Sequence, residues 1–598
     1  MSRLAPVLTF VLLAPSLLAQ QVPDETPALL VVPSIEAAGI ADDTGWTALV
    51  QRLGAGNVPD GSGLEVAMAE ASNPGYKPDP GHAEFAGKTF ALKSGATTIS
   101  GHATTVARHY FGLTTSIAPG VTHIRCYSAS AFLSTGFLNG TSTANPPKIA
   151  AWEVLNNSWI GAGSKTYLRK LDGAIADQNL LICSGVNNGT GPLDVPLFSH
   201  VFNGIAVGRS DGNHRAGGTL AGYDRAGRMK PELVAPASAT SYATPLVSGA
   251  ATLMRETATT HPALLGDPNA ARSDLIKAVL MAGATHRPGW ANDAPTSGAT
   301  RGLATKPLDA LFGADEINVN RAHWILTGGE EPGSALVSGA SSGRHAGWDT
   351  VVVPEGESRF WRFDVEATKP YASVLATWNR TVEPDYSAFH APQLSLELWS
   401  VDAQGALVSL VGDSGLGSFA AGNVRSASAK DNLEHLYLED LAPGQYALEL
   451  SHAVDGEGDW DVALAWELAC ASPVVYGTPK TTSGGSSPTM SVRGFPSAAG
   501  NDFDISVTGA EPNKNGIFFF GAGAKSAPFF GGTLLVQGPL KRLPITTTDA
   551  AGGVTLPIAI DAAMSGEQRN YQFWFRDPTH PDGTNVGLSN AVEIVFCP

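Results

Sequence analysis

The sequence predicts an α/β domain built on a buried parallel sheet, followed by two all-β, sandwich-like domains. Three observations lead there. Over residues 20–335, apolar runs of strand length alternate with helical patterns. Beyond residue 335 the pattern becomes apolar–polar alternation broken by Gly and Pro, and no helix is needed. The chain has 598 residues and 67 glycines, which is too long for one core and favours a loop-rich, β-containing protein.

Taken in chain order, the first element is "MSRLAPVLTFVLLAPSLLAQQ". Arg3 supplies a short positive start, an apolar stretch follows to Leu18, and Ala19 offers a small residue for cleavage. This reads as a secretory signal peptide over 1–19, broken by Pro6 and Pro15 and too short to anchor in a bilayer. The expected location is therefore extracellular or periplasmic, with no membrane span. The α/β domain is expected over 20–335. Its strands are "LEVAMAEAS", "VTHIRCYS", "IAAWEVLNNS", "NLLICSG" and "FNGIAVG", and its helices are "HATTVARHYFG", "SYATPLVSGAATLMRETA" and "ARSDLIKAVLMAGA". Apolar strands separated by helices imply a parallel sheet covered on both faces. A β-sandwich is expected over 336–468 from "SRFWRFDVEA", "QLSLELWSVDAQGALVSLV" and "EHLYLEDLAPGQYALELS". A last all-β domain is expected over 469–598, opening with the polar stretch "YGTPKTTSGGSSPT".

Charge and cysteines narrow the function classes. A net charge of −17 repels phosphate backbones and argues against a nucleic-acid partner. Of four cysteines, Cys470 and Cys597 bracket the last domain and, in an exported chain, would close it as one disulfide loop. Cys126 and Cys183 sit in apolar strand-like runs and read as buried free thiols. No Cys/His cluster suggests a metal site, and no cofactor is required.

The stretch "PASATSYATPLVSGAATLMRE" (236–256) carries the chemistry. Ser241 falls at a helix N-terminus, where unpaired N–H groups and the helix dipole favour negative charge. Pro245 is expected within the first turn, where its missing N–H costs little. A nucleophilic serine needs a histidine to take its proton, a carboxylate to orient that histidine and donors for the oxyanion.

At this stretch the chain resembles the subtilisin-like serine proteases, or subtilases, in their Gly-Thr-Ser-x-Ala-x-Pro motif and following Val-x-Gly helix. Thr240, Ser241, Ala243, Pro245, Val247 and Gly249 match, with Ala239 in place of the first glycine. The resemblance implies a histidine in a His-Gly-Thr-x-Val-Ala context upstream. "SGHATTVA" supplies His102, with Ala103 for the glycine, while His109 on the same helix pattern is read as a surface residue. It also implies an aspartate at the end of the preceding apolar strand, where this chain has Glu70. Asp60 and Asp79 do not fit that position. Either Glu70 orients His102 or the triad is broken. For the oxyanion hole the resemblance implies an asparagine in "LLICSGVNNGTG": alignment on Gly189 selects Asn187, with Asn188 the competitor. "NNSWIGAG" resembles the family's substrate-lining strand, which places Ser158, Trp159 and Gly161 on the pocket wall. Calcium is compatible with the resemblance, although no dense acidic loop announces it. The short segment between Ala19 and the Glu70 strand leaves no room for a folded inhibitory propeptide.

Separately, 336–468 resembles a bacterial pre-peptidase C-terminal domain, through "WRFDVEA", "LELWSVD" and "LYLEDLAPGQYALEL". Together these resemblances imply a secreted serine endopeptidase acting on proteins or peptides through Ser241, His102 and Glu70, with surface or polymer binding open to its β-domains. The other reading is a catalytically inactive secreted binding protein on the same scaffold.

Overall fold

The computed structural model describes residues 42–71, 74–161, 164–194, 198–498 and 503–597, so the signal peptide read at 1–19 lies outside the described residues. The first unit is a seven-stranded sheet. Its strands are β1 (Glu65–Glu70), β2 (Thr89–Leu92), β3 (His123–Ser128), β4 (Val154–Asn157), β5 (Leu181–Gly185), β6 (Ile205–Arg209) and β7 (Leu233–Ala235), ordered β7-β6-β5-β4-β1-β3-β2. Every pairing in it is parallel. The inner strands β4, β5 and β6 are buried at every residue, as their unbroken apolar runs require. Strand order reverses around β1, whose neighbours are β3 and β4, so the carboxyl ends of β1, β4 and β5 open onto one crevice.

The helices are α1 (Trp46–Leu53), α2 (Gly101–Phe111), α3 (Lys165–Gln178), α4 (Thr240–Thr260), α5 (Ser273–Ala282) and α6 (Val319–Gly328), besides one five-residue turn of helix at Ala129–Leu133. The Ala- and Gly-rich composition of α4 follows from its place in the core. A Cβ added at Gly249 would lie 3.1 Å from a side-chain carbon of Ile117, so a larger residue would push α4 away from the segment after α2. Among the described residues, no helix is long and apolar enough to cross a membrane.

Antiparallel sheets follow. Two of them, one with Ala346–Val353, Lys369–Thr377, Leu433–Leu441 and Trp460–Leu468, the other with Ser358–Val365, Leu394–Val401 and Gly444–His452, enclose a core that includes Trp361, Trp378, Leu396, Leu448 and Trp466. Further on, a five-stranded and a three-stranded sheet enclose Phe503, Phe518, Phe573 and Phe575. Cys470 is bonded to Cys597, while Cys126 and Cys183 are free and buried.

The first sandwich is not tethered loosely to the α/β unit. Trp348, Leu375, Leu433 and Ala463 belong to the same apolar cluster as Leu275 and Val279 of α5. Arg380 is 1% exposed and crosses the junction, with its guanidinium 2.7 Å from Asp172 of α3 and 2.8 Å from Asp224. It also lies over the rings of Phe202 and Phe389. Removing one partner of a buried ion pair strands the others without solvent. Arg380→Ala should therefore destabilise the protein by about 3–5 kcal/mol, read as a lowered midpoint in denaturant unfolding. Arg380→Lys should lose part of this, because an ammonium cannot reproduce the forked contact.

Candidate active site

The crevice at the sheet's carboxyl edge encloses about 390 Å³ and is lined by Ala71, His102, Ser158, Trp159, Ile160, Gly185, Val186, Asn187, Asn188, Thr240 and Ser241. A larger groove, of about 500 Å³, lies between the α/β unit and the sandwich. Its cation Arg272 is already paired with Asp274 and Asp461, and no serine–histidine pair lines it. The histidine and serine singled out by the sequence, His102 and Ser241, line the smaller crevice.

Glu70 is the last residue of β1 and is fully buried. His102 is the second residue of α2, whose N-terminus is capped by Ser100 Oγ accepting the Ala103 N–H. Thr104 Oγ1 donates to Ser100 O and accepts from the Asp79 N–H, which ties the preceding loop to the first turn. These constraints bring His102 Nδ1 to 2.7 Å from Glu70 Oε2. The imidazole is 41% exposed and the carboxylate 1%. Asp79 instead caps its own turn, accepting the Gly81 N–H.

The electrostatics of the pair follow from burial. Loss of solvent pushes the Glu70 carboxyl above the usual carboxylate range, against the pull of His102. The hydrogen bond to Glu70 raises His102 above the ordinary imidazole value, against its own partial burial. Glu70 Oε1 is buried without a hydrogen-bond partner among the described residues, so the His102 ring is the carboxylate's one described stabilising contact.

Ser241 is the second residue of α4. The Thr240 N–H donates to Asn188 Oδ1 at 2.9 Å and the Tyr242 N–H to Ala239 O at 2.9 Å. The Ser241 N–H between them has no acceptor among the described residues. The Ser241 hydroxyl donates to Ser158 O at 3.3 Å.

Pro245 corrects the expectation of a first-turn proline. It is the sixth residue of α4, and an N–H at that position would bond back to Ser241 O. Proline leaves that carbonyl open, and Ser158 Oγ donates to it at 2.8 Å. Ser158 is itself held by Asn156 Nδ2 at 2.9 Å, and Asn156 Oδ1 accepts from Ser248 Oγ at 3.1 Å. Asn156 and Ser248 are fully buried, so this ordered chain of donors locks the end of β4 to the backbone of Ser241. Sequence reasoning placed Ser158 on the pocket wall, and it does line the crevice, but it missed Asn156 and Ser248. Their one signal was polar residues on faces that the pattern declares buried.

The two asparagines separate. The Asn187 amide sits 3.2 Å from both oxygens of Asp194, facing the rim. Asn188 uses its oxygen on Thr240, and its amide group has no acceptor among the described residues. Trp159 packs edge-on against Phe198 with ring centres 5.5 Å apart, and Gly161 follows it without lining the crevice. His109 is half-buried rather than a surface residue. Its ring stacks on Tyr242 at 5.3 Å, nearly parallel, and burial lowers its pKa. Tyr242 thus wedges between α2 and α4 beside both histidines. No group of three or more His, Cys, Asp or Glu that could hold a metal occurs among the described residues.

The family model of the Subtilase family matches residues 88–313. That span holds His102, Asn187, Asn188 and Ser241 and begins after Glu70, and the match supports a serine protease. Among solved structures, a lanthipeptide protease is 16% identical with a TM-score of 0.32, covering 49% of this chain and 98% of its own. A protease from Pseudoalteromonas arctica is 14% identical with a TM-score of 0.31, covering 48% and 97%. No curated protein matches the chain.

An imidazole must be neutral to take a serine proton, and Glu70 holds the His102 proton on. The acid limb of kcat/KM should therefore lie above about 6.5, the free imidazole value. In Glu70→Gln that limb should move down by a measurable fraction of a unit, while kcat falls by up to about 10⁴. A pH–rate profile of both proteins checks this.

Proposed function

We propose that this chain is a secreted serine endopeptidase that hydrolyses peptide bonds through Ser241, His102 and Glu70. The observation that carries the reading is the 2.7 Å contact between a buried Glu70 and Nδ1 of His102, which lines the same crevice as Ser241. Ser241 Oγ turns from Ser158 O toward His102 Nε2 and attacks the substrate carbonyl as the ring takes its proton. Glu70 keeps Nδ1 protonated and steadies the imidazolium. The oxyanion forms against the free Ser241 N–H and the amide of Asn188, rather than Asn187, whose amide is already engaged by Asp194. His102 then protonates the leaving amine, and water attacks the acyl-enzyme along the same path. Ser158, Trp159 and Ile160 flank the substrate. The signal-like start at 1–19 supports export. Nothing in the proposed reaction calls for calcium.

Two measurements test the reading. The wild type should be labelled by a fluorophosphonate at Ser241, and Ser241→Ala should not; a folded wild type that resists labelling overturns the reading in favour of a non-catalytic binding protein. Asn188→Ala should lower kcat by about 10²–10³, the worth of one oxyanion donor, and Asn187→Ala should leave it near the wild-type rate. The reverse order would return the oxyanion role to Asn187.

A further inference from the structure

The C-terminal unit carries an apolar face with no role in the chemistry above. On the outer side of its five-stranded sheet, Ile545, Ile517 and Trp574 are paired across three adjacent strands. Arg542 and Phe519 form the next row. The hairpin of Ala524–Phe529 and Gly532–Val536 covers the neighbouring part of the sheet, with the Leu535 N–H donating to Gln572, and its tip walls the open part. The result is a cleft of about 250 Å³ lined by Ile517, Phe519, Phe529, Phe530, Leu540, Arg542 and Trp574. Around its mouth Phe530 is 50% exposed, Leu540 42% and Ile545 73%.

The tip is built against local preference. Phe530 and Gly531 form a two-residue turn with φ of 45° and 73°, conformations that favour Asn and Gly. A bulky aromatic at positive φ is an outlier. Here it holds a large apolar ring out into solvent.

Charge says what the face meets. Residues 512–548 contain Lys514, Lys525, Lys541 and Arg542 and no Asp or Glu, in a chain with 55 acids against 38 Lys and Arg. Lys525, Lys541 and Arg542 are exposed. Arg542 and Lys525 form no ion pair among the described residues. The acid nearest the tip, Asp582 beside Gly531, is paired with Lys480 at 2.6 Å. Strand addition is disfavoured, because the sheet edge Lys541–Thr547 carries Lys541 and Pro544. An exposed apolar patch with a cationic rim fits a surface that is apolar beneath and anionic on top.

We propose that this face docks the protein on an anionic phospholipid bilayer, with Phe530, Leu540 and Ile545 entering the interface and Arg542 and Lys525 meeting the headgroups. The test is co-sedimentation of the full chain with vesicles of phosphatidylcholine alone or with 30% phosphatidylglycerol. About tenfold more protein should bind the anionic vesicles, since each basic side chain near such a surface adds several-fold, and 0.5 M salt should reduce that binding. Phe530→Ser/Ile545→Ser and Lys525→Glu/Arg542→Glu should each lose most of the binding at unchanged melting temperature, because all four side chains are exposed. Equal binding to both vesicles, no binding to either, or full binding by the charge-reversed variant overturns the proposal. So does a raised KM for an unfolded protein substrate in these variants without vesicle binding, which would make the face a substrate exosite.

Discussion

The site is organised around one contact, the hydrogen bond between a buried carboxylate at the end of β1 and an imidazole at the start of α2. A charge with no solvent demands compensation, and among the described residues Glu70 finds it only in the His102 ring. That dependence runs both ways. The ring gains a fixed tautomer, and the carboxylate gains its counter-dipole. A glutamate reaches one methylene further than an aspartate, and here that reach brings Oε2 to 2.7 Å from Nδ1. The capped first turn of α2 and its tie to Asp79 hold the histidine at that separation.

A second constraint fixes Ser241. Proline at position 245 deletes the donor that would bind Ser241 O, and Ser158, the residue just after β4, supplies it instead. An intrahelical hydrogen bond is thereby exchanged for one between the helix and the sheet. Ser241 is consequently indexed to the strand end that flanks the crevice, and the buried Asn156–Ser248 pair carries that indexing into the core. The long apolar body of α4, close-packed at Gly249, is the rigid mount for both.

Much of this was legible in the residues. The strands β1, β3, β4, β5 and β6 appear where apolar runs place them, because a sheet covered on both faces tolerates little else. β2 and β7 were missed: one is half-exposed and the other only three residues long, so neither has a pattern to read. α3 was missed because its buried face includes Lys170 and Asp172, which find partners in distant segments and break the apolar stripe. Glu70 and His102 meet at 2.7 Å, and His102 and Ser241 line one crevice. The roles of Asn187 and Asn188 were not legible, since one residue of register decides which amide stays free. The partner of Ser241 O was equally hidden, because a proline's missing donor says nothing about what replaces it.

Activity should depend on Glu70 being fitted, in length as well as charge, to His102. The most direct measurement is kcat/KM of Glu70→Asp beside the wild type, with melting temperatures to verify folding. A scaffold set for glutamate should make the shorter acid fall short of Nδ1, so Glu70→Asp should be well below wild type yet above a variant with no orienting group. An aspartate variant as active as the wild type, or more so, would show that the extra methylene is merely tolerated and would contradict the central claim.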